Sequence, residues 1–325
     1  MKSKATGALI LGLVYSLAAT GQAQTQAQAQ LQARRATEMV ANAIPGVIAA
    51  GTRIQVVQDG FKNTEGPIAF PDGGLLFTEN VTNKIFRIDP SGNTSVFMED
   101  THGGNALAFD PMGRLIATRR EPGFQGIAVI YPKGREAVLS DTIDGRPLDR
   151  PNDLVLDKKG GIYFTDPGPH SVYYVTPAGK TLQVADGIER PNGIQLSPDD
   201  RVLYVNDTEG EYLLAFDVQP DGTLRNRRNF FKYWGVTKEP ERIVSGADGM
   251  AIDSEGRIYS TANGGVDVLS PQGQLLGTIP VGTPGGRGPQ NLAFAGRDKK
   301  TLYILGRGGV FKAQMLAQGY LGRVK

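Results

Sequence analysis

The sequence predicts an all-β protein, a six-bladed β-propeller with four-stranded antiparallel blades, and a sixfold internal repeat is the first observation behind this prediction. Each repeat starts with a polar residue and continues with a short apolar run, a polar turn and a second apolar run. The second observation is the spacing of 40 to 56 residues between repeats, because four short strands with their turns fill roughly 40–50 residues in a propeller blade. The third is that no stretch after the N-terminal segment shows a sustained helical period.

In order, the repeats read TEGPIAFPDGGLLFTEN from Thr64, GNALAFDPMGRLIATRR from Gly104, RPNDLVLDKKGGIYFTD from Arg150, RPNGIQLSPDDRVLYVND from Arg190, ADGMAIDSEGRIYSTAN from Ala247 and PQNLAFAGRDKKTLYILG from Pro289. Short β-branched and aromatic runs alternate with Asp-Gly, Pro-Asp and Ser-Glu-Gly turns, which is the pattern of antiparallel strands. A single blade cannot bury both of its faces, so we expect the core to form between neighbouring blades.

The last repeat has only three clear strands, and TRIQVVQDG from Thr52 is a strand without a repeat of its own. We therefore expect Arg53–Val57 to be the outer strand of the sixth blade, which the N-terminal strand would close. A sandwich or a solenoid with similar strand spacing is the alternative fold. The propeller is favoured because the number of repeats, their length and the unpaired strand agree independently.

The N-terminal segment has the features of a signal peptide. Lys2 and Lys4 precede an apolar stretch over residues 5–19 and then small residues. We predict a signal peptide over 1–23, a Gln/Ala-rich spacer and lead-in over 24–46, and the propeller over 47–325. A membrane anchor is the alternative for the first segment, although the apolar stretch is short for a span. We expect a periplasmic or secreted protein without stable membrane association after signal cleavage.

Composition narrows the kind of partner. The chain of 325 residues has 35 basic and 33 acidic side chains without long runs of like charge, so nucleic acid is not an expected partner. It contains no cysteine, which excludes disulfides and thiolate zinc sites. We expect a small-molecule partner. The oligomeric state does not follow from the sequence.

The polar residues that open the repeats are the candidate ligands of a cation. In a propeller the first strand of each blade lines the central channel, so these residues stand at similar depth around one axis. They are Glu65, Asn105, Asn152, Asn192, Asp248 and, with a one-residue ambiguity, Gln290 or Asn291. Oxygen-only ligation suits a hard cation, with calcium favoured and zinc, magnesium or manganese as alternatives.

Two carboxylates in this set, Glu65 and Asp248, would balance the charge of one divalent cation. Taken singly, each Asn or Asp could instead cap a turn. Asn105 and Asn291 have the further alternative of satisfying backbone groups at the channel mouth.

The ends of the second strands return to the same face and form a second candidate ring. It consists of Glu79, Arg119, Asp166, Asn206 and Asn263. Their side chains differ from blade to blade, as those of a substrate-binding wall would, and we take Asn105, Arg119 and Asp166 as candidate substrate-binding residues. Solvated loop residues would vary equally, so this alternative stays open.

The motifs TEGP, RPNDLVLD, RPNGIQLS, ADGMAID and QNLAFAGRDKKTLYI resemble those of the senescence marker protein/gluconolactonase/luciferin-regenerating enzyme family, and they are most similar to its bacterial exported gluconolactonase-like members. The resemblance implies a six-bladed propeller with one catalytic divalent ion in the channel and hydrolysis of sugar lactones. It places the metal ligands on Glu65, Asn192 and Asp248. It places substrate-contacting residues on Arg150, Asn152 and Asp153.

These observations predict a metal-dependent lactonase that opens a gluconolactone-like sugar lactone to the aldonic acid. The cation would polarise the carbonyl, and Asp248 would be the general base, with a hydroxide on the cation as the alternative base. Arg150 would hold substrate hydroxyls or a developing carboxylate, unless it only pairs with a surface acid. An esterase or phosphotriesterase on the same metal centre, or a non-catalytic propeller with a structural ion, are the alternative functions.

Overall fold

The computed structural model describes residues 39–239, 242–283 and 288–323, and within these ranges its regular secondary structure consists of β-strands. Six four-stranded antiparallel sheets form the blades, and two short hairpins complete the fold. The predicted all-β six-bladed propeller is therefore confirmed. Over the described ranges no helix is long and apolar enough to cross a membrane. The predicted signal peptide and most of the predicted spacer lie outside these residues.

The first three blades follow the chain in order. Blade 1 contains β2 (Thr64–Ala69), β3 (Leu75–Glu79), β4 (Lys84–Ile88) and β5 (Thr94–Met98). Blade 2 contains β6 (Leu107–Phe109), β7 (Leu115–Arg119), β8 (Gly126–Tyr131) and β9 (Ala137–Ser140). Blade 3 contains β12 (Leu154–Leu156), β13 (Ile162–Asp166), β14 (Ser171–Val175) and β15 (Thr181–Ala185).

The other three blades repeat this order. Blade 4 contains β16 (Pro191–Leu196), β17 (Val202–Asp207), β18 (Tyr212–Val218) and β19 (Leu224–Lys232). Blade 5 contains β22 (Met250–Ile252), β23 (Ile258–Ala262), β24 (Gly265–Leu269) and β25 (Leu275–Ile279). Blade 6 contains β26 (Asn291–Ala295), β27 (Thr301–Gly306), β28 (Gly309–Gln314) and β1 (Gln55–Gln58).

The innermost strand of each blade contacts the innermost strand of the next, and β26 contacts β2, so the ring is closed. Hairpin β10 (Thr142–Ile143) with β11 (Arg146–Pro147) lies between blades 2 and 3. Hairpin β20 (Thr237–Glu239) with β21 (Arg242–Val244) lies between blades 4 and 5. Each hairpin lies in the connection from the outer strand of one blade to the inner strand of the next blade. These connections are at the end of the ring where the inner strands begin.

The N-terminal strand closes the ring as the sequence predicts. β1 pairs antiparallel with β28 at the outer edge of blade 6, although it spans Gln55–Gln58 rather than Arg53–Val57. Packing against the propeller starts earlier, because the lead-in residues Met39 and Ile44 are buried between blades 5 and 6. The described part of the lead-in is thus part of the core.

Six apolar clusters form the core, one between each pair of neighbouring blades, as expected. The largest fully buried side chains include Tyr163 and Tyr259, each of which contributes to one such cluster. Outer strands are more exposed than inner strands, as the comparison of β5 with β2 shows. This arrangement holds the inner strands rigidly around the channel.

Candidate metal and substrate site

The predicted first ring lies at the end of the channel where the inner strands begin. We call this end the channel mouth, and the turns after the second strands reach the same end. Glu65, Asn192 and Asn291 lie within the inner strands β2, β16 and β26, whereas Asn152 and Asp248 come two residues before β12 and β22. Asn105 likewise precedes β6.

A glycine follows each of the three predicted metal ligands and lets neighbouring inner strands approach closely. Gly193 donates its N–H to the Asp248 carbonyl at 3.1 Å, and a Cβ at Gly193 would lie 2.0 Å from that oxygen. Gly249 donates to the Gln290 carbonyl at 2.6 Å. Gly66 has a positive φ of 51°, and a Cβ there would lie 2.0 Å from the Asn105 carbonyl oxygen. Only glycine therefore permits this close packing beside Glu65, Asn192 and Asp248.

Glu65 and Asp248 are the two carboxylates of the predicted ligand set, and the negative charge of Glu65 acts on Asp248. Burial raises the pKa of Glu65, although the positive charge of Arg120 opposes this shift. Burial raises the pKa of Asp248 well above its usual range, and the negative charge of Glu65 raises it further. Two carboxylates held in this way favour the binding of a cation between them.

Amide groups from blade 6 orient the Glu65 carboxylate. Gln290 donates from Nε2 to Oε1 at 3.1 Å, and Asn291 donates from Nδ2 to Oε2 at 3.2 Å. Both residues of the ambiguous sixth position therefore contact Glu65. Their role here is to hold a carboxylate of the neighbouring blade.

A chain of hydrogen-bonded amides runs around the channel mouth from blade 1 to blade 4. Asn80 donates to Asn105 at 2.8 Å, and Asn105 donates to the Asn152 side chain at 3.2 Å. Asn152 donates to the Asn192 Oδ1, and Asn192 donates to the Thr208 hydroxyl at 2.9 Å. Each carbonyl oxygen in this chain accepts one hydrogen bond from the preceding amide, so the Asn192 Oδ1 keeps one lone pair for a cation.

Arg120 is a channel residue that the sequence did not reveal. Its Nε donates to the Pro151 carbonyl at 3.0 Å. Burial lowers its pKa to about 10, while the charges of Glu65, Asp248 and Asp153 act in the opposite direction. Arg120 therefore remains a cation at neutral pH and partly compensates the carboxylates at the axis.

The predicted substrate residue Arg119 has different surroundings from Arg120. Its guanidinium carbon lies 5.9 Å from the centre of the Phe124 ring. Its buried Nε has no hydrogen-bond partner within the described chain. Burial lowers the pKa of Arg119, and Asp141 is the acid that opposes this effect. The structure therefore does not bring Arg119 together with the carboxylates at the axis.

In both Arg-Pro-Asn motifs, an aspartate side chain accepts backbone N–H groups of the loop that carries the motif. Asp166 accepts the backbone N–H groups of Asp149 at 3.1 Å and Arg150 at 2.9 Å. Asp207 accepts the corresponding groups ahead of the second motif, from Glu189 at 3.2 Å and Arg190 at 2.9 Å. The structure thus places the predicted substrate residue Asp166 under the loop that carries Arg150, where it positions this loop.

The two arginines of these motifs differ in their side chains. Arg190 forms an ion pair with Glu209, with Nη1 3.1 Å from Oε1. Arg150 is exposed at the channel mouth, and among the described residues its guanidinium forms no ion pair. Its positive charge acts on Arg120. Arg150 is therefore available to a ligand.

The remaining members of the second ring hold loops and main chain. Glu79 accepts the backbone N–H of Lys62, and Asn263 donates to the Val244 carbonyl at 3.2 Å. Asn206 donates to the Asp248 carbonyl at 2.6 Å and so fixes the main chain of a predicted ligand. Of these residues, Asn206 contacts the first ring, and Glu79 and Asn263 hold the segments that precede blades 1 and 5.

Asp153, predicted to contact substrate, has a buried carboxylate whose Oδ1 accepts the N–H of Leu154 at 2.9 Å. Its negative charge raises the pKa of both Glu65 and Asp248. The structure thus adds a third carboxylate to the electrostatics of the channel.

Arg307 is a second arginine that the sequence did not reveal. It lies in the turn between β27 and β28 with a φ of 54°, and its N–H donates to Gln290 Oε1 at 2.8 Å. Its positive charge lowers the pKa of Asp248 against the effect of burial. The exposed Arg307 thus stands at the channel mouth beside the group that orients Glu65.

Residues 63–306 match the family described as SMP-30/Gluconolactonase/LRE-like region. The chain belongs to this family. Gluconolactonase of Zymomonas mobilis is 27% identical over 296 residues, covering 80% of this chain and 81% of that protein. Lactonase drp35 of Staphylococcus aureus is 33% identical over 225 residues, covering 64% of this chain and 67% of that protein. A gluconolactonase structure from Xanthomonas campestris is 28% identical, with a TM-score of 0.72, and the match covers 85% of this chain and 94% of that one.

The donor set of this SMP-30/gluconolactonase family member fits a hard cation. Glu65, Asn192 and Asp248 offer two carboxylates and one amide oxygen. The described residues contain no group of three or more His, Asp or Glu side chains in metal-binding geometry, so the amide has to serve as the third protein donor. The two carboxylates support the fit, because Glu65 is buried, its negative charge acts on Asp248, and a divalent cation would compensate both charges.

Proposed function

We propose that this protein is a metal-dependent lactonase that opens a gluconolactone-like sugar lactone to the aldonic acid. The observation that carries the proposal is the pair of carboxylates at the channel mouth, the buried Glu65 and the partly buried Asp248, together with Asn192 and the cationic Arg120. Family membership and the lactonase relatives support the reaction class. A propeller that only held a structural ion would have no need of Arg150, which is exposed at the channel mouth and forms no ion pair among the described residues.

Glu65, Asn192 and Asp248 would hold the cation, and calcium suits their oxygen atoms best, with zinc, magnesium and manganese as the alternatives. When bound, the cation supplies Lewis-acid polarisation of the lactone carbonyl. Gln290 and Asn291 keep the Glu65 carboxylate in place through their two amide hydrogen bonds.

Asp248 is the proposed general base. Water adds its oxygen to the carbonyl carbon while Asp248 accepts the water proton. The ring C–O bond then breaks, and the proton passes to the departing ring oxygen, which becomes a hydroxyl group. Asn206 fixes the Asp248 main chain through a 2.6 Å hydrogen bond, so the carboxylate keeps its direction during this step.

Arg150 and Asn152 are the proposed substrate-positioning residues. The loop that carries them is anchored by Asp166, and Asn152 is held between Asn105 and Asn192. A guanidinium held at the mouth can bind hydroxyl groups or the developing carboxylate. The proposed location, periplasmic or secreted, depends on residues 1–23, which lie outside the described residues.

The test is hydrolysis of D-glucono-1,5-lactone, followed by proton release, with chelator-treated full-length protein. Calcium, zinc, magnesium and manganese are then added separately. We expect activity to disappear on chelation and to return with at least one ion, calcium first. An aryl acetate and an aryl phosphotriester are assayed in parallel.

Lactone hydrolysis that persists in the metal-free protein would contradict the metal requirement. Turnover of the ester or the phosphotriester without turnover of the lactone would replace the lactonase by the corresponding hydrolase. Tight ion binding without any turnover would favour a binding propeller.

A further inference from the structure

The charges of the proposed site balance one another once a divalent cation is bound. Three carboxylates interact there: the charge of Asp153 acts on both Glu65 and Asp248, and the charge of Glu65 acts on Asp248. Arg120 supplies one positive charge among them, and a divalent cation would supply two. These groups balance without any further cation.

Two more arginines stand at the same mouth. The backbone N–H of Arg307 bonds Gln290, and Gln290 in turn bonds Glu65. Arg150 precedes Pro151, whose carbonyl accepts the Arg120 side chain. Both arginines are exposed, and neither forms an ion pair within the described part of the chain.

The acidic neighbours of Arg150 do not neutralise it. The Asp149 carboxylate lies against Gly168, where an added Cβ would meet its Oδ2. Asp166 is fully buried and accepts the main-chain N–H groups of the loop. The equivalent arginine of the next blade, Arg190, is paired with Glu209 at 3.1 Å. The absence of such a pair at Arg150 leaves a positive charge facing the channel mouth.

Arg150 and Arg307 belong to blades 3 and 6, which are opposite one another in a ring of six. A substrate whose carbonyl lies at the axis would therefore have a guanidinium on either side. A neutral lactone would leave at least one of these guanidinium groups without an anionic partner during binding.

We propose that the preferred substrate is a lactone that also carries an anionic group, a carboxylate or a phosphate. This inference rests on the proposed lactonase function and adds the charge of its substrate. Arg150 and Arg307 are the residues that select for the charge, through charge-assisted hydrogen bonds from their planar donors.

The test compares kcat/KM of the metal-loaded full-length protein for three lactones. D-glucono-1,5-lactone is neutral, D-glucaro-1,4-lactone carries a carboxylate, and 6-phospho-D-glucono-1,5-lactone carries a phosphate. We expect at least one anionic lactone to exceed the neutral one by about tenfold or more, which is about 1.4 kcal/mol in transition-state binding. Added salt should lower kcat/KM for that lactone more than for the neutral one, because screening weakens the attraction.

The double variant Arg150→Gln with Arg307→Gln should reduce the ratio of anionic to neutral kcat/KM by about tenfold, the effect of one charge-assisted contact. The matched control is Arg190→Gln with Arg201→Gln, which removes the same total charge. Arg190 is paired with an acid, and Arg201 lies in an exposed turn. Calorimetric titration of the metal-loaded protein gives a readout without turnover, and D-glucarate should bind more tightly than D-gluconate.

The outcomes separate the two proposals. Faster or equal hydrolysis of the neutral lactone would overturn the charge selection and leave the lactonase function standing. No hydrolysis of any of the three lactones would overturn the lactonase function, and the charge selection with it. An equal fall of the ratio in the control variant would show that overall charge, and not these two arginines, sets the preference.

Discussion

Glu65 and Asp248 owe their positions to small neighbours and to amide groups. Each is followed by a glycine that lets the adjacent inner strand approach. Gln290 and Asn291 hold the first carboxylate, and Asn206 holds the main chain of the second. At the scale of single residues, the site therefore combines oxygen donors in fixed positions with negative charge that a cation would compensate.

Replacing either carboxylate by its amide should remove turnover and keep the fold. Asp248→Asn removes the base, which is worth about 10²–10⁴ in rate, and Glu65→Gln removes a charged cation ligand. An uncharged amide is less costly to bury than a carboxylate, which offsets the loss at Glu65 of one of its two hydrogen bonds from blade 6, so the unfolding temperature of the metal-free protein should change little. Steady-state lactone hydrolysis and thermal unfolding by circular dichroism measure the two effects.

Asp221→Asn is the matched control, because this exposed aspartate lies in the turn between β18 and β19 at the opposite end of the strands. It should hydrolyse the lactone at the unchanged rate. A near-normal rate in either site variant would show that Glu65 or Asp248 has been assigned the wrong role.

Among the elements, β1 has a function that no other strand shares. It joins the segment before blade 1 to blade 6 by pairing with β28. Ile54, immediately before it, is 2% exposed and packs in the cluster between blades 5 and 6. Val56 within β1 is 50% exposed. One short segment therefore contains both a buried anchor and an exposed position.

These two residues give a matched pair of variants. Ile54→Ala should lower the free energy of unfolding by about 2–5 kcal/mol, the usual cost of truncating a buried isoleucine. Val56→Ala should change it by less than about 0.5 kcal/mol, as for most surface positions. Denaturant unfolding at equilibrium measures both. Equal effects of the two changes would mean that the lead-in does not hold the ring closed in solution.

At the scale of the whole molecule, the candidate metal ligands join distant parts of the ring. Glu65 comes from blade 1, Asn192 from blade 4, and Asp248 from the entry to blade 5. The amide chain through Asn105 and Asn152 connects the blades between them. A bound cation would therefore hold together segments that are far apart in sequence.

A cation that binds only the folded ring should raise its stability. We expect calcium at 100 times its Kd to add about 2.7 kcal/mol to the free energy of unfolding. Thermal unfolding of chelated and calcium-loaded protein measures this shift. Glu65→Gln should abolish most of it, and an equal shift in that variant would place the ion elsewhere.

The sequence predicted the blades because the repeat is a property of the whole chain, and it predicted β1 because an unpaired strand and a short last repeat were both visible. It did not reveal Arg120, since β7 ends at Arg119 and the pleat no longer fixes the direction of the next side chain. Arg307 was missed because its position depends on a turn with a φ of 54°. Alternating patterns describe strands, and these two residues lie just outside strands.

The closure of blade 6 by β1 has a consequence for the order of events during synthesis. Of the strands that the structure describes, the ribosome makes Gln55–Gln58 first and its partner Gly309–Gln314 last. The earliest of these strands therefore waits without its native partner until β28 has emerged. Five blades can acquire all four of their strands in chain order, whereas blade 6 has to recruit a strand that precedes blade 1.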